Sequence, residues 1–144
     1  MLIRADITQA GVIAALAVQM WDEHTQEELE RDFAALLQRE DAAVFLAEEE
    51  GKAVGFAQCQ LRRDYVEGTE TSPVGYLEGI FVEPAYRGKG VARALLACCE
   101  QWAREQGCME FASDCELDNT QSLAFHMRLG FDEANRVICF TKLL

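Results

Sequence analysis

The chain has 144 residues, half of them hydrophobic and 26% charged, the length and mix of one globular domain. Its 13 basic and 25 acidic residues leave a net charge of −12, which argues against a general nucleic-acid binder or a protein that docks on anionic lipid. It favours a cationic partner or plain solubility.

In chain order, residues 2–6 read as a short strand. Thr8 is placed to cap a helix over about 9–20, with Val12, Ile13, Leu16 and Met20 on one face. A second helix, about 26–38, sets Leu29, Phe33, Leu36 and Leu37 against an acidic face of Glu27, Glu28, Glu30 and Asp32. Strands are expected over 43–48 and 53–61, joined by a hairpin turn at 49–51. Residues 64–73 form a polar loop, and 74–82 a further strand closed by Pro84. Val91, Leu95, Cys98, Cys99 and Trp102 recur at helical spacing, the core face of a long helix that Gly107 ends. A strand over 109–113, a short helix over 120–128 and a last strand near 136–142 complete the chain. The order β-α-α-β-β-β-α-β-α-β predicts a mixed α/β sheet in a single domain, residues 1–144.

The charge is unevenly spread along these elements. Residues 1–86 hold 6 basic and 17 acidic side chains, a net of −11, whereas residues 87–144 hold 7 and 8, a net of −1. The first ten residues have neither the basic nor the apolar part of a signal peptide, and no apolar run approaches the ~18 residues of a membrane span. A cytoplasmic location is expected, with the six cysteines reduced. There is no C-x-x-C, and His24 and His126 stand far apart, so no metal site is expected.

Residues 80–92 read IFVEPAYRGKGVA. A strand ends and a Gly-bearing loop opens into a helix, whose N-terminal amides lack partners and favour an anion. Gly88 and Gly90 let the backbone approach a ligand, and Arg87, Lys89 and Arg93 add positive charge: a pyrophosphate cradle. Neither the Walker pattern nor the dinucleotide Gly-x-Gly-x-x-Gly is present.

The run Arg87-x-x-Gly90-x-Ala92 resembles the acyl-CoA signature of the GNAT acetyltransferase superfamily. Asn119, Ser122, His126, Gly130 and Phe131 fall at the spacing of that superfamily's second motif. The resemblance implies a mostly antiparallel central sheet flanked by helices, with acetyl-CoA as cosubstrate and no metal. The pyrophosphate would lie on Arg87, Gly88, Lys89, Gly90, Val91 and Ala92. The pantetheine arm would pair with Ile80, Phe81 and Val82 and bond Asn119, and a backbone amide there would polarise the thioester. His126 stands where relatives often carry a Tyr acid. It either relays a proton or packs beside the cosubstrate.

Residues 64–91 more sharply resemble the aminoglycoside 6′-N-acetyltransferases of that superfamily, with support from Trp21, His24, Ala112, Ser113, Asp114 and the segment 131–142. An acidic pocket suits a polycationic aminoglycoside. Its ammonium must lose a proton before the amine can attack, and a carboxylate must take it. Glu78, on the strand before the thioester-binding residues, and Asp114, after the next strand, are the two candidates for that base. Strand alternation puts Glu78 on the face of Tyr76 and Ile80, and Gly79 suits a bulge. By resemblance Trp21, His24, Tyr65, Tyr76 and Asn135 complete the acceptor site; plain core is the other reading of Trp21, and a loop cap that of Asp114. Relatives often have an acid where Asn135 stands, and some a Tyr where Cys139 and Phe140 stand. The expected reaction is direct acetyl transfer to a 6′-amine, conferring antibiotic resistance, by a homodimer. The alternatives are another amine acceptor, such as a polyamine or protein N-terminus, and a non-catalytic acyl-CoA-binding module.

Overall fold

A computed structural model describes residues 1–144. Five strands make one sheet in the order β1 (Leu2–Arg4), β2 (Ala42–Glu49), β3 (Lys52–Arg62), β4 (Val74–Val82) and β5 (Phe111–Ala112). The first three junctions are antiparallel and the β4–β5 junction is parallel. The turn expected at 49–51 joins β2 to β3, with Glu50 and Gly51 both left-handed.

Four helices surround the sheet: α1 (Ala10–Ala17), α2 (Gln26–Leu36), α3 (Val91–Glu105) and α4 (Thr120–Arg128). The chain enters α1 through a 3₁₀ turn, Ile7–Gln9, and the cap is Asp6 rather than Thr8. Asp6 is extended, so its carboxylate can accept the Thr8 amide while the Gln9 side chain accepts the Asp6 amide. That reciprocal pair satisfies two amides, which a threonine two residues on could not do. The first helix is thus shorter than expected, and Val12 is exposed, not core. Thr25 caps α2 through the Glu28 amide, and Glu27 and Glu28 sit in its first turn, where the helix dipole favours acids.

The sheet buries both faces. On one side Leu95, Cys99 and Trp102 of α3 pack on Ala57, Cys59, Leu61, Leu77 and Val82. On the other, Ile13 and Leu16 of α1 and Leu29 and Phe33 of α2 pack on Val44, Leu46 and Phe56. Each such apolar side chain taken from water contributes roughly 1.5–3 kcal/mol. All six cysteines are free; Cys59, Cys99 and Cys108 are buried, and the contact with Cys59, then burial, push the Cys99 thiol up.

Two expectations fail at the C-terminal end. The strand over 109–113 shrinks to Phe111–Ala112. The strand near 136–142 does not form, and residues 131–144 carry no helix or strand. The apolar run 137–140 is there, but no strand of this chain runs beside it, and an unpartnered strand leaves its amides and carbonyls to water. Val137, Ile138 and Phe140 are accordingly 61%, 74% and 87% exposed.

Candidate active site

The site is built where β4 leaves its neighbours. Gln58 pairs with Gly79 and Cys59 with Leu77, so Glu78 has no opposite residue in β3. This bulge re-aims the strand. It also breaks the expected alternation: Ile80 packs on the α3 side, whereas Tyr76 joins a separate small cluster with Val66 and Val74. Glu78 and Tyr76 do meet, through a shared arginine; Ile80 is not on their face. On the other edge, β4 pairs with β5 only at Gly75–Phe111 and Tyr76–Ala112. From Leu77 to Val82 that edge has no strand beside it.

Two carboxylates stand at this opening, linked by two further side chains. Arg62, from the end of β3, donates Nε and Nη2 to the two oxygens of Glu78 at 3.0 and 2.9 Å. Its guanidinium lies 3.4 Å from the centre of the Tyr76 ring. The Tyr76 hydroxyl donates to Asp114 Oδ2. Burial first, and the bond to Asp114 second, hold the Tyr76 phenol protonated well above its ordinary 10.0. Burial opposes the charge of Arg62, but its bonds to Glu78 and its nearness to Tyr76 and Asp114 outweigh that and raise its pKa. Asp114 Oδ1 has no partner in the protein. The result is a chain Glu78–Arg62–Tyr76–Asp114 with one cation between two anions.

Arg62, Tyr65, Tyr76, Asp114, His126 and Asn135 line one cavity of about 980 Å3. Asn135 Nδ2 donates to Glu67 at 2.7 Å, and Tyr65 is largely exposed. Glu78, Trp21 and His24 are not on this wall; Glu78 is joined to it through Arg62. Trp21 packs on Phe33 and Phe56 with ring centres 6.3 and 6.1 Å away. Its edge lies against Gly79, where a Cβ would come within 2.6 Å of the ring. Trp21 is therefore both core and the surface that backs the bulge. His24 is held at the exposed start of α2 by Glu23 and Glu28.

The cradle follows directly from β4. Arg87 Nε donates to the carbonyl of Val82 at 2.7 Å and fixes the turn out of the strand. Gly90 caps α3 in a left-handed conformation, φ 82°, which a side chain would resist. Cβ atoms built at Gly88 and Gly90 would meet nothing within 4 Å, so this surface is open. The amides of residues 88–93 find no acceptor within the protein. Six free donors at the positive end of a 15-residue helix suit a polyanion. Lys89 extends over the Tyr86 ring, while Arg93 Nη2 is committed to the carbonyl of Arg128 at 2.9 Å.

Asn119 caps α4 by accepting the Ser122 amide with Oδ1, which leaves its Nδ2 free to donate. His126 Nδ1 donates to the Ser122 carbonyl at 2.7 Å, since a carbonyl can only accept. Nε2 lies 2.7 Å from Ser113 Oγ. Nδ1 thus holds the ring on its own helix and Nε2 ties α4 to the end of β5, an arrangement that supports the packing alternative for this residue. Arg62 is the functional candidate that sequence reasoning missed. Its only signal is a basic residue closing an apolar strand, and its partner becomes visible only through the β3–β4 register.

The profile of the acetyltransferase (GNAT) family matches residues 13–131. An aminoglycoside N(6′)-acetyltransferase type 1 from Stenotrophomonas maltophilia is 42% identical over 137 residues, 95% of this chain and 89% of the relative. Another of that description, from Salmonella typhimurium, is 43% identical over 88% of each chain. Among solved structures, AAC(6′)-Iy in complex with the bisubstrate analogue CoA-S-monomethyl-acetylneamine superposes with a TM-score of 0.94 at 39% identity, covering 100% of this chain and 98% of that one.

Proposed function

The chain belongs to the acetyltransferase (GNAT) family, and on that premise we propose that it is an acetyl-CoA-dependent aminoglycoside 6′-N-acetyltransferase. The observation that carries the reading is the opening between β4 and β5. It puts a free strand edge, a row of unpartnered amides and Glu78 on one stretch of chain, with Asp114 brought to it from beyond β5 through Tyr76. The residues fit the cosubstrate: the amides of 88–93 take the pyrophosphate, and the free edge of Ile80, Phe81 and Val82 takes the pantetheine arm. Asn119 donates to that arm through Nδ2.

Glu78 and Asp114 receive the substrate's ammonium groups. Glu78, with both oxygens fixed by Arg62, anchors; Asp114, with Oδ1 free, accepts the proton, directly or through water. The freed amine nitrogen forms its bond to the thioester carbonyl carbon as the C–S bond breaks; CoA leaves as thiolate and takes up the second proton, which the nitrogen sheds as it becomes an amide. Holding amine and thioester together supplies much of the rate. Tyr65, Tyr76 and Asn135 complete the acceptor wall, and Trp21 supports it from behind Gly79. The protein works as a single cytoplasmic domain and as a homodimer; the exposed Val137, Ile138 and Phe140 support the second copy. Antibiotic resistance is the role this activity serves.

A thiol-release assay across kanamycin-type aminoglycosides, spermidine and a peptide N-terminus tests the reading, with the product mapped by NMR. Acetylation at the 6′-amine is expected. Turnover of spermidine or peptide alone assigns the enzyme to another amine, and acetyl-CoA binding without any transfer makes it a binding module.

A further inference from the structure

Arg62 has no place in the chemistry above except through its contacts. A guanidinium lies between Glu78 and Asp114 at an opening read as the site of a polycation, where Coulomb repulsion alone would exclude it. Of the ion pairs in the chain, Arg62–Glu78 is the one with the most enclosed carboxylate, 18% exposed; the others are exposed on both sides. The contact is held in two directions. The guanidinium fork takes one lone pair on each Glu78 oxygen in its plane, at 3.0 and 2.9 Å, and the Tyr76 ring lies against its face at 3.4 Å. Tyr76 is in turn fixed by Asp114. A loosely held counter-ion would not need a flat face beneath it.

We propose that Arg62 is a positioning residue for aminoglycoside recognition: it fixes the plane of the Glu78 carboxylate at the β4 bulge and ties it, through Tyr76, to Asp114. The inference rests on the assignment of Glu78 and Asp114 to the acceptor site. Its physical basis is that Glu78 sits at a bulge, where no opposite residue restrains it. An ionised carboxylate has about four lone-pair sites. The fork uses two, and the two that remain point where Arg62 leaves them. The cation also offsets the mutual repulsion of Glu78 and Asp114 while no substrate is bound. Only a planar, two-pronged cation can do both jobs, so lysine is not an equivalent.

The test uses the full-length chain with Arg62→Met, Arg62→Lys, Arg62→Ala, Glu78→Gln and the double variant Arg62→Met/Glu78→Gln. Folding is checked by melting temperature and by acetyl-CoA affinity, which is expected to be unchanged. Arg62→Met and Arg62→Lys are expected to raise the aminoglycoside KM by about 10- to 100-fold, the range for losing a charge-assisted, two-pronged bond. Their kcat should fall much less, because the proton acceptor is left in place. Added methylguanidinium should restore Arg62→Ala, which repair of a merely structural gap elsewhere would not do. The double variant should be no worse than Glu78→Gln alone, since Arg62 acts through Glu78. A lower KM in Arg62→Met overturns the proposal and makes the guanidinium a competing cation. Full additivity in the double variant also overturns it. If Glu78→Gln itself turns over aminoglycoside normally, the Glu78 assignment fails first and the Arg62 role falls with it; the single variants tell the two failures apart.

Discussion

Gly79 is the residue whose replacement reads the site most directly. A Cβ there would stand 2.6 Å from Cζ2 and 2.7 Å from Cη2 of Trp21. Carbon atoms in contact prefer roughly 3.5–4.0 Å, so the ring must retreat by about 1 Å. It has little room to do so, because Phe33 and Phe56 pack on it at 6.3 and 6.1 Å between ring centres and Met20 lies beside it. Overpacking of this kind costs about 1–3 kcal/mol. For a chain of this length that lowers Tm by about 3–10 °C. The ring also backs the bulge that carries Glu78, so kcat/KM for aminoglycoside should fall by about 10-fold, while acetyl-CoA affinity holds. Gly79→Ala is assayed by urea and thermal unfolding and by steady-state kinetics, alongside Trp21→Phe and the pair. The smaller ring should relieve the clash, so the pair should be less destabilised than the two single changes summed. A Gly79→Ala protein that melts within about 1 °C of the parent, with additive behaviour in the pair, refutes the reasoning.

Three further outcomes follow from named contacts. Glu78→Gln should lower kcat/KM for aminoglycoside strongly with acetyl-CoA affinity nearly intact; unchanged turnover removes Glu78 from the mechanism. Aminoglycoside KM should rise steeply between low and physiological salt, because a chain of net charge −12 steers a polycation by a field that salt screens within about 8–10 Å; a flat response refutes that. Hydrogen bonds from Arg39 hold Asp41 below its ordinary 3.8. A depressed carboxylate contributes stability above its unfolded pKa and loses it as pH falls through the folded one. The urea midpoint should therefore drop as pH goes below about 4, and Asp41→Asn should flatten part of that drop.

Much of the fold was legible because its signals are local. The strand Val74–Val82 and the helix Thr120–Arg128 fall where periodicity and turn residues put them. The helix core face holds for Leu95, Cys99 and Trp102. The bulge at Gly79 was legible as a glycine inside an apolar strand, though its effect on alternation was not: one extra residue moves Ile80 to the opposite face from Tyr76. What failed needed partners distant in sequence. The C-terminal pattern reads as a strand, but a strand exists only beside another edge, and this chain offers none there. Arg62 was passed over for the same reason, since its partner Glu78 is 16 residues away and across a ladder.

The uneven charge can now be divided by use. Part of the excess acid has local work that no ligand is needed to explain. Asp6 caps the turn into α1, and Glu27 and Glu28 sit at the α2 N-terminus. Asp41 pairs with Arg39, Glu83 accepts from Gln19, and Glu67 accepts from Asn135. Glu110, beyond residue 86, accepts the amides of Glu70 and Thr71 and shapes the loop before β4. These groups contribute a diffuse, salt-screened field that raises the encounter rate without selecting one amine. Selection needs charges held at fixed places beside the thioester, and Glu78, gripped by Arg62, and Asp114, held by Tyr76, are so placed at this opening. Salt and site substitutions should therefore act on different quantities: salt on the association of any polycation, the Arg62–Glu78 fork on which amine is brought to the thioester.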